Sequence, residues 1–367
     1  MTHEITVHLG PRSYPIVVGV GVLASVGARL RALDVGSRVA LVADPAVRRL
    51  HGTRVADSLR AAGFTLSEIS VPEGESAKAL AVAERCWDAL LGAGIDRTST
   101  VLALGGGAVG DLAGFVAATY MRGINFVQLP TTVLAQVDAS IGGKTGIDHP
   151  RAKNLIGAFH QPRLVLVDPG VVVTLSDREF RSGLAEVVKH GIVADEAYFA
   201  DIERHVGEVL ARDVPTLERL IAGSCRIKTS VVERDEQEAE LRAVLNYGHT
   251  IGHALEAVTG YARWAHGEAV SVGMVAAARL AHRLGVAGAE TVKRQEHLLE
   301  ALGLPVRLPP LDHAAILAAI GRDKKSRDGK VPFVLAPRLG QSRLVFDVPA
   351  DAVLGVLAEL TIGGNAA

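Results

Sequence analysis

The first half of the chain alternates short apolar runs with helical stretches, and this alternation limits the possible folds more than any other feature. Runs such as SRVALVAD (37–44), TVLALGG (100–106) and RLVLVDP (163–169) have the length and β-branched composition of buried strands. Stretches with a helical spacing of apolar residues separate them, among them VLAQVDASIG and a helix for which Asp44 is the predicted N-cap and Pro45 the first residue. Alternation at this spacing favours a mostly parallel sheet covered by helices. We therefore predict an α/β domain over residues 1–174.

The second half has a different pattern. From about Leu175 onward, apolar residues recur mainly at helical spacing, as in LSDREFRSGLAEVVKHGIV and HGEAVSVGMVAAARLAHRLG. Only KVPFVLAPRLG near the end is typical of a strand or hairpin. The sequence therefore predicts a mainly α-helical domain over residues 175–367.

Composition excludes several classes of protein. Of the 367 residues, 49% are hydrophobic and 22% charged, which is typical of a chain that folds around a substantial core. A formal net charge of −1 argues against a nucleic-acid or anionic membrane partner. The two cysteines suit a reducing compartment, the N-terminus lacks an apolar signal core, and no apolar run is long enough to span a membrane. We expect a soluble cytoplasmic protein that acts on a small molecule.

A glycine-rich turn follows the strand at 100–106. Gly105, Gly107 and Gly110 have G-x-G-x-x-G spacing between a predicted strand and a predicted helix. Such a turn brings backbone N–H groups and a helix N-terminus close to a phosphate, although it can also be a tight turn without a ligand. The acid expected about twenty residues later is missing, since residues 120–136 contain none, and Asp44 after an earlier strand is the alternative.

The segment QVDASIGGKTGIDHPRAKNLIGAFHQP (136–162) carries Asp138, Lys144, Lys153 and Asn154 among glycines. Only nine of the 39 basic residues are lysines, so lysines clustered near glycines indicate a specific use. We interpret the segment as a loop that approaches an anionic ligand. A solvated surface loop is the alternative.

Three histidines lie in NYGHTIGHALEAVTGYARWAHGEAV (246–270). His249 and His253 are four residues apart, so they share one helix face and are able to bind one ion, and His266 begins the next helix. Glu186 in SGLAEVVKHG is a candidate third ligand. Two histidines, a carboxylate and an open position are typical of catalytic zinc. Spacing alone leaves open which two histidines bind the metal.

Further polar residues surround this segment. Arg242, Asn246 and His249 have spacings of four and three, which predicts one polar stripe on a helix. Burying such a stripe is costly unless a polar ligand or ion satisfies it. Lys324 and Lys325 are either part of a charged turn or an anion clamp.

Taken together, these motifs resemble those of the 3-dehydroquinate synthase family, within the sugar phosphate cyclases. The motifs that carry the resemblance run in order along most of the chain: PEGESAK (72–78), GGGAVGD (105–111), RGINFVQLPTTVLAQVDASIGGKTGID (122–148), KNLIGAF (153–159), SGLAEVVKHG (182–191), LNYGHTIGHALE (245–256), HGEAV (266–270) and DKK (323–325). The resemblance implies a Rossmann-like NAD-binding α/β domain followed by a helical metal- and substrate-binding domain.

The resemblance also implies a role for each matching residue. Zn²⁺ or Co²⁺ would bind Glu186, His249 and His266, which leaves His253 for the substrate. NAD would contact Asp44, Glu75, Lys78, Gly106, Gly107, Ala108, Val109, Gly110, Asp111, Thr131, Thr132, Lys144, Lys153 and Thr174. Substrate would contact Asp138, Lys144, Lys153, Asn154, Lys189, Lys228, Arg242, Asn246, His253, Lys324 and Lys325, with Arg122 reaching its phosphate across a homodimer interface. The catalytic residues would be Asp138, Lys144, Lys189, Arg242, Asn246 and His253.

The implied reaction converts 3-deoxy-D-arabino-heptulosonate 7-phosphate to 3-dehydroquinate and phosphate in the shikimate pathway. It proceeds by transient oxidation with NAD, phosphate elimination, reduction, ring opening and an intramolecular aldol closure, which makes the enzyme a carbon–oxygen lyase. The alternatives are another sugar phosphate cyclase, a metal-dependent NAD polyol dehydrogenase that releases NADH, and a nucleotide-binding scaffold without activity.

Overall fold

A computed structural model describes residues 2–239, 241–321 and 331–363. The chain divides into two compact units. The first comprises Met1–Leu175 and Leu217–Gln237, and the second comprises Ser176–Thr216 and Glu238–Ala367. The segment Leu217–Gln237 groups with the first unit although it follows residue 175 in the chain. The division into domains 1–174 and 175–367 stays a prediction.

Among the residues described, the first unit contains nine strands, five complete α-helices and most of a sixth, which is given below with the second unit. The strands are β1 (His3–Val7), β2 (Tyr14–Val18), β3 (Arg38–Ala43), β4 (Thr65–Ser70), β5 (Thr100–Gly105), β6 (Asn125–Pro130), β7 (Lys144–His149), β8 (Ala152–Phe159) and β9 (Leu164–Val167). The helices are α1 (Val26–Ala32), α2 (Pro45–Val47), α3 (Thr53–Ala61), α4 (Leu80–Gly92) and α5 (Gly107–Thr119). Short 3₁₀ segments include Gly74–Lys78, Tyr120–Arg122 and Pro169–Thr174, and Arg48–Gly52 and Ala135–Ala139 are π-helical.

The main sheet has seven strands in the order β1-β2-β9-β6-β5-β3-β4. All neighbours are parallel except β1 and β2, which are antiparallel. This confirms the predicted mostly parallel sheet. The strand order reverses at β3, because β4 lies on one side of it and β5 on the other. In open α/β sheets, ligands bind beyond the carboxyl ends of strands at such a point.

Burial explains why β5 reads as a continuous apolar run. All six of its residues are buried, as expected for a central parallel strand with both faces covered. Helix α5 is also buried on most of its surface, and its Leu112 and Val116 belong to one hydrophobic cluster with Val101 of β5 and Phe126 of β6. The tight packing fixes the position of the α5 N-terminus relative to the end of β5.

The lysine-containing segment 136–162 differs from the predicted loop. Most of it forms an antiparallel hairpin of β7 and β8, and the predicted helix VLAQVDASIG is shortened to a π turn, Ala135–Ala139. Glycines that indicate a loop in sequence here allow close strand pairing, since a Cβ on Gly157 would lie 2.3 Å from the carbonyl oxygen of Thr145. The prediction of a loop was therefore wrong.

The second unit is mainly helical. Its elements, together with the helix that joins the two units, are α6 (Asp177–Ala194), α7 (Glu196–Arg204), α8 (Val206–Leu210), α9 (Val214–Arg234), a 3₁₀ turn (Leu241–Asn246), α10 (His249–Val258), α11 (His266–Arg283), α12 (Ala289–Ala301), α13 (His313–Gly321), β10 (Phe333–Arg338), β11 (Gln341–Val345) and α14 (Ala350–Leu360). β10 and β11 form the predicted hairpin. Among the residues described, no helix combines the length and apolar character needed to cross a membrane.

The predicted polar stripe on one helix is wrong. Arg242 and Asn246 lie in the 3₁₀ turn Leu241–Asn246, whereas His249 begins α10. Gly248 between them has a left-handed φ of +79°, and a Cβ there would lie 2.8 Å from the Val270 carbonyl oxygen. Only glycine fits this position, so the chain changes direction before His249 and helical spacing does not extend across it.

Candidate nucleotide-binding turn and metal centre

Three predicted nucleotide-binding positions follow the carboxyl ends of adjacent strands of the first unit. Asp44 follows β3, Gly106 follows β5, and Thr131 follows β6. The Asp44 carboxylate accepts a hydrogen bond from the Val47 N–H at 2.9 Å, which makes it the predicted N-cap. These three residues lie at the carboxyl edge of the sheet, next to the point where the strand order reverses.

The glycine turn has the predicted strand–turn–helix context. Gly106 is the N-cap of α5, so the first N–H groups of that helix, from Gly107 through Val109, face the turn. Gly110 brings α5 close to β6, since a Cβ there would lie 2.8 Å from Oε1 of Gln128. Thr131 Oγ1 is buried and has no hydrogen-bond partner among the residues described. A phosphate-bearing cofactor fits a turn with these donors.

A charged cluster lies next to this turn. Lys78 is buried, and its Nζ lies 2.9 Å from Asp111 Oδ2 and 3.5 Å from Glu75 Oε1. Burial lowers the pKa of Lys78, but the charges of Asp111 and Glu75 outweigh burial and the pKa is raised overall. Burial raises the pKa of Asp111 to about 6, with Lys78 opposing the shift. Lys78 is therefore charged near neutral pH.

The β7–β8 hairpin contributes the rest of the cluster. Lys153 Nζ lies 3.6 Å from Glu75 Oε1, and Asn154 Oδ1 accepts a hydrogen bond from Lys78 Nζ. Asp148 accepts a hydrogen bond from the Asn154 N–H at 2.7 Å, in support of the left-handed φ of +53° at Asn154. Asp148 was not among the predicted site residues, although it ends the motif GKTGID. The structure thus brings together five predicted residues and one further acid.

Other predicted residues of the first unit have simpler surroundings. Lys228 on α9 is buried, and its Nζ donates a hydrogen bond to the Asp138 carbonyl oxygen at 2.6 Å and to the Asp138 carboxylate. Lys144 and Thr174 are exposed, and Thr174 Oγ1 lies 3.4 Å from a ring nitrogen of His51. Arg122 is exposed with a left-handed φ of +68°. Thr132 stabilises the turn after β6, since its Oγ1 accepts from the Ala135 N–H at 3.1 Å.

The second unit brings together three potential metal ligands from three helices. Glu186 is fully buried on α6, His249 begins α10, and His266 begins α11. His249 Nε2 lies 3.4 Å and His266 Nε2 3.7 Å from Glu186 Oε1. One ligand atom from each residue lies within 4.8 Å of the others. A carboxylate and two imidazoles form a donor set that suits Zn²⁺ or Co²⁺.

Hydrogen bonding orients both imidazoles toward Glu186. His249 Nδ1 lies 3.1 Å from the Tyr247 carbonyl oxygen, and His266 Nδ1 lies 3.4 Å from Glu256 Oε1. When Nδ1 of each ring donates to these acceptors, each Nε2 presents a lone pair to the Glu186 carboxylate. Lone pairs facing a carboxylate repel it unless a cation lies between them. The arrangement therefore fits a metal ion bound by the two Nε2 atoms and Glu186.

A second set, formed by His253, Glu256 and His266, also has ligand atoms within 4.8 Å of one another. It shares His266 with the first set, and the ring centroids of His253 and His266 are 6.0 Å apart. Glu256 behind His266 has the position of an outer carboxylate that orients a metal-binding histidine. This interpretation favours Glu186, His249 and His266 as ligands. Sequence reasoning missed Glu256, although it ends the motif GHALE.

The electrostatics of these side chains agree with a cation site. Burial and the charge of Lys189 lower the pKa of His249 well below its ordinary value. Burial lowers the pKa of His266, but Glu186 and Glu256 outweigh burial and raise the pKa to about 10. Lys189 lies one turn after Glu186 on α6 and pairs with its second carboxylate oxygen. Positive charge near Glu186 thus comes from Lys189 and a His266 proton, which a metal would replace.

Two further predicted substrate residues lie in the 3₁₀ turn before α10. Arg242 is almost fully buried, and Asn246 Nδ2 donates a hydrogen bond to Glu238 Oε1 at 3.0 Å. Lys324 and Lys325 lie outside the residues that the structure describes. The site assignments as a whole stay predictions.

Comparison with solved structures identifies the class of protein. The 2-epi-5-epi-valiolone synthase of Streptomyces hygroscopicus subsp. jinggangensis, solved with NAD⁺ and Zn²⁺, superposes with a TM-score of 0.87 at 30% identity, covering 95% of this chain and 96% of that one. A 2-deoxy-scyllo-inosose synthase complexed with carbaglucose-6-phosphate, NAD⁺ and Co²⁺ superposes with a TM-score of 0.88 at 25% identity, covering 97% and 100%. The chain thus has the fold of the sugar phosphate cyclases.

Sequence comparison narrows the class to one family. Residues 68–182 match the family described as 3-dehydroquinate synthase N-terminal, and residues 183–326 match 3-dehydroquinate synthase C-terminal. The 3-dehydroquinate synthase of Geobacter metallireducens is 52% identical over 341 residues, which cover 93% of this chain and 95% of that protein. The chain belongs to the 3-dehydroquinate synthase family.

Proposed function

We propose that this chain converts 3-deoxy-D-arabino-heptulosonate 7-phosphate to 3-dehydroquinate and phosphate. The observation that carries the proposal is the full-length similarity to 3-dehydroquinate synthases, 52% over 93% of the chain for one of them. The donor set of Glu186, His249 and His266 supports it, because this reaction needs a cation at the hydroxyl that is oxidised. The shikimate pathway is the corresponding metabolic role.

When bound, NAD supplies reversible hydride transfer and Zn²⁺ or Co²⁺ supplies a Lewis acid. The chain's own residues bind and orient. Glu186, His249 and His266 would hold the metal. The turn Gly106–Asp111 and Thr131 would hold NAD, together with Asp44, Glu75, Lys78, Thr132, Lys144, Lys153 and Thr174. Two features support the assignment of the turn. Thr131 Oγ1 has no hydrogen-bond partner among the residues described, and the first N–H groups of α5 have no partner within the helix.

The substrate carries a carboxylate and a phosphate at opposite ends, so cationic side chains suit it. We assign substrate contacts to Asp138, Lys144, Lys153, Asn154, Lys189, Lys228, Arg242, Asn246 and His253, with Lys324 and Lys325 proposed from the sequence alone. Lys189 and Arg242 are almost completely buried, and we propose that both place positive charge at the anionic groups of the substrate. Fixing both ends of the substrate positions the reacting carbons between them.

We also propose that the protein is a cytoplasmic homodimer. Two cysteines, both buried and free of disulfide bonds, support a reducing compartment. The dimer follows from the resemblance, in which Arg122 reaches a phosphate of the neighbouring subunit's substrate. The exposed side chain of Arg122 is compatible with that role.

The proposed activity is tested by incubating the protein with the heptulosonate phosphate, NAD and Zn²⁺. We expect equal amounts of phosphate and 3-dehydroquinate, with no net formation of NADH. Glu186→Gln provides a variant in which metal and turnover are both lost. Accumulation of NADH would contradict the proposal and indicate a dehydrogenase. Turnover only of a sugar phosphate without a carboxylate would indicate another cyclase.

A further inference from the structure

Three residues at helical spacing connect α6 to the start of α11. Arg178, Ser182 and Glu186 are each four residues apart, so they lie along one face of α6. Each has a partner in the first turn of α11. Glu186 faces His266, Ser182 Oγ accepts the Gly267 N–H at 2.9 Å, and Arg178 binds Glu268. Two of the proposed metal ligands thus belong to helices that two further polar contacts join.

The contact between Arg178 and Glu268 is bidentate. Arg178 Nε lies 2.8 Å from Glu268 Oε1, and Nη2 lies 2.7 Å from Oε2. The same Nη2 donates to the carbonyl oxygen of Arg263 at 2.7 Å, which fixes the chain just before α11. Two parallel N–H···O bonds restrict the orientation of the carboxylate as well as its distance.

Glu268 also binds the N-terminus of its own helix. Its Oε2 accepts the Ala265 N–H at 2.7 Å, and Ala265 is the N-cap of α11, directly before His266. One carboxylate therefore connects α6, through Arg178, to the backbone that carries His266. A shift of Glu268 would move the first turn of α11 relative to Glu186.

The contact between Arg178 and Glu268 contributes little to folding stability compared with its expected effect on metal affinity. The Arg178 side chain is 55% exposed, and ion pairs at exposed positions are weak. Metal affinity is far more sensitive, because metal–ligand distances tolerate deviations of only about 0.2 Å. The contact is thus suited to setting the position of a ligand.

We propose that Arg178 and Glu268 are positioning residues of the metal centre, which hold His266 at the correct distance from Glu186. This inference rests on the proposed function, in which Glu186 and His266 bind the metal. Neither Arg178 nor Glu268 touches the metal in this account.

A second bidentate pair provides a matched control. Arg279, also on α11, binds Glu296 of α12 with Nε–Oε1 and Nη2–Oε2 distances of 2.5 and 3.0 Å. Arg279 is thirteen residues after His266, which corresponds to about 20 Å along the helix. Its side chain is 20% exposed, so this pair is the more buried of the two. Loss of the Arg279 pair should therefore affect stability at least as much as loss of the Arg178 pair.

The test is a Co²⁺ titration of chelator-treated protein, followed by the d–d absorption of the bound ion and by chelator competition. For Arg178→Gln we expect a dissociation constant raised about 10-fold, as for other residues that orient metal ligands, and an altered d–d spectrum. Glu268→Gln should behave alike. For Arg279→Gln we expect wild-type affinity and spectrum. Arg178→Lys should restore only part of the affinity, because lysine cannot form the bidentate contact.

Three outcomes would overturn the inference. Wild-type Co²⁺ affinity and spectrum in Arg178→Gln would show that the contact does not position a ligand. An equal loss of affinity in Arg279→Gln would show a general effect of helix stability. If the wild-type protein binds no Co²⁺ that gives a d–d absorption, the proposed metal centre is contradicted as well. This result concerns the wild-type protein and is therefore distinguishable from the other two.

Discussion

Replacing Gly267 with alanine should move His266 away from Glu186. A Cβ at Gly267 would lie 1.8 Å from the Ser182 carbonyl oxygen and 2.6 Å from its carbonyl carbon, both backbone atoms that cannot rotate away. An ordinary contact begins at 3.4 Å, so the first turn of α11 has to move by 3.4 minus 1.8, or about 1.6 Å. Overpacking of this kind costs about 1–3 kcal/mol or more.

The displacement matters more for the metal than for the fold. His266 precedes Gly267, so its imidazole moves with the same turn, by several times the tolerance of about 0.2 Å for metal–ligand distances. We expect Gly267→Ala to lose stoichiometric zinc and turnover, with a lowered melting temperature. Metal content after gel filtration and thermal unfolding measure the two effects.

Gly207→Ala is the matched control in the same unit. Gly207 lies within helix α8, has no atom within 4 Å of a built Cβ and has no positive φ. Alanine there should stabilise the protein by roughly 0.5–1 kcal/mol and leave metal content unchanged. Wild-type zinc content and melting temperature in Gly267→Ala would refute the reasoning.

Three further predictions concern single side chains. His249→Ala should lose zinc, whereas His253→Ala should retain it and lose turnover; zinc loss in both, measured by metal analysis, would place His253 among the ligands. Glu256→Gln should weaken zinc binding roughly 10–100-fold in chelator competition, because His266 loses its outer carboxylate, and unchanged affinity would argue against that role. Burial raises the pKa of Asp111 to about 6, above its unfolded value, so folding favours the protonated form and the contribution of Asp111 to stability falls as the pH rises from about 4 to 6. We therefore expect the free energy of unfolding of Asp111→Asn, measured with urea, to rise relative to that of the wild type by on the order of 2 kcal/mol between about pH 4 and 6. A difference between the two proteins that does not depend on pH would contradict the assignment.

Local patterns predicted the parts of the fold that depend on neighbouring residues. Asp44 before Pro45 predicted a helix N-terminus, and the glycine turn predicted the junction of β5 and α5. Both depend on interactions within a few residues. The β7–β8 hairpin could not be predicted in the same way, because its glycines resemble loop residues until their cross-strand partners are known.

The residues of the metal centre could not be predicted from local patterns either. Helical spacing grouped His249 with His253, but the ligand atom of Glu186 comes from a helix sixty-three residues earlier in the chain, and only packing brings it near. Spacing left open which histidines bind the metal, and only the resemblance to the 3-dehydroquinate synthase family indicated His249 and His266. The stripe of Arg178, Ser182 and Glu186 is visible in the sequence as a repeat of four, yet its meaning depends on α11, which lies eighty residues later.

The central claim is that the reaction proceeds without net oxidation of the substrate. An isotope experiment tests this claim most directly. The heptulosonate phosphate is prepared with deuterium at C5, the carbon whose hydroxyl is transiently oxidised, and is incubated with the enzyme, NAD and Zn²⁺. We predict that the 3-dehydroquinate formed retains this deuterium and that reduced cofactor does not accumulate. Deuterium that accumulates in the reduced nicotinamide, or that is lost to water, would contradict the account.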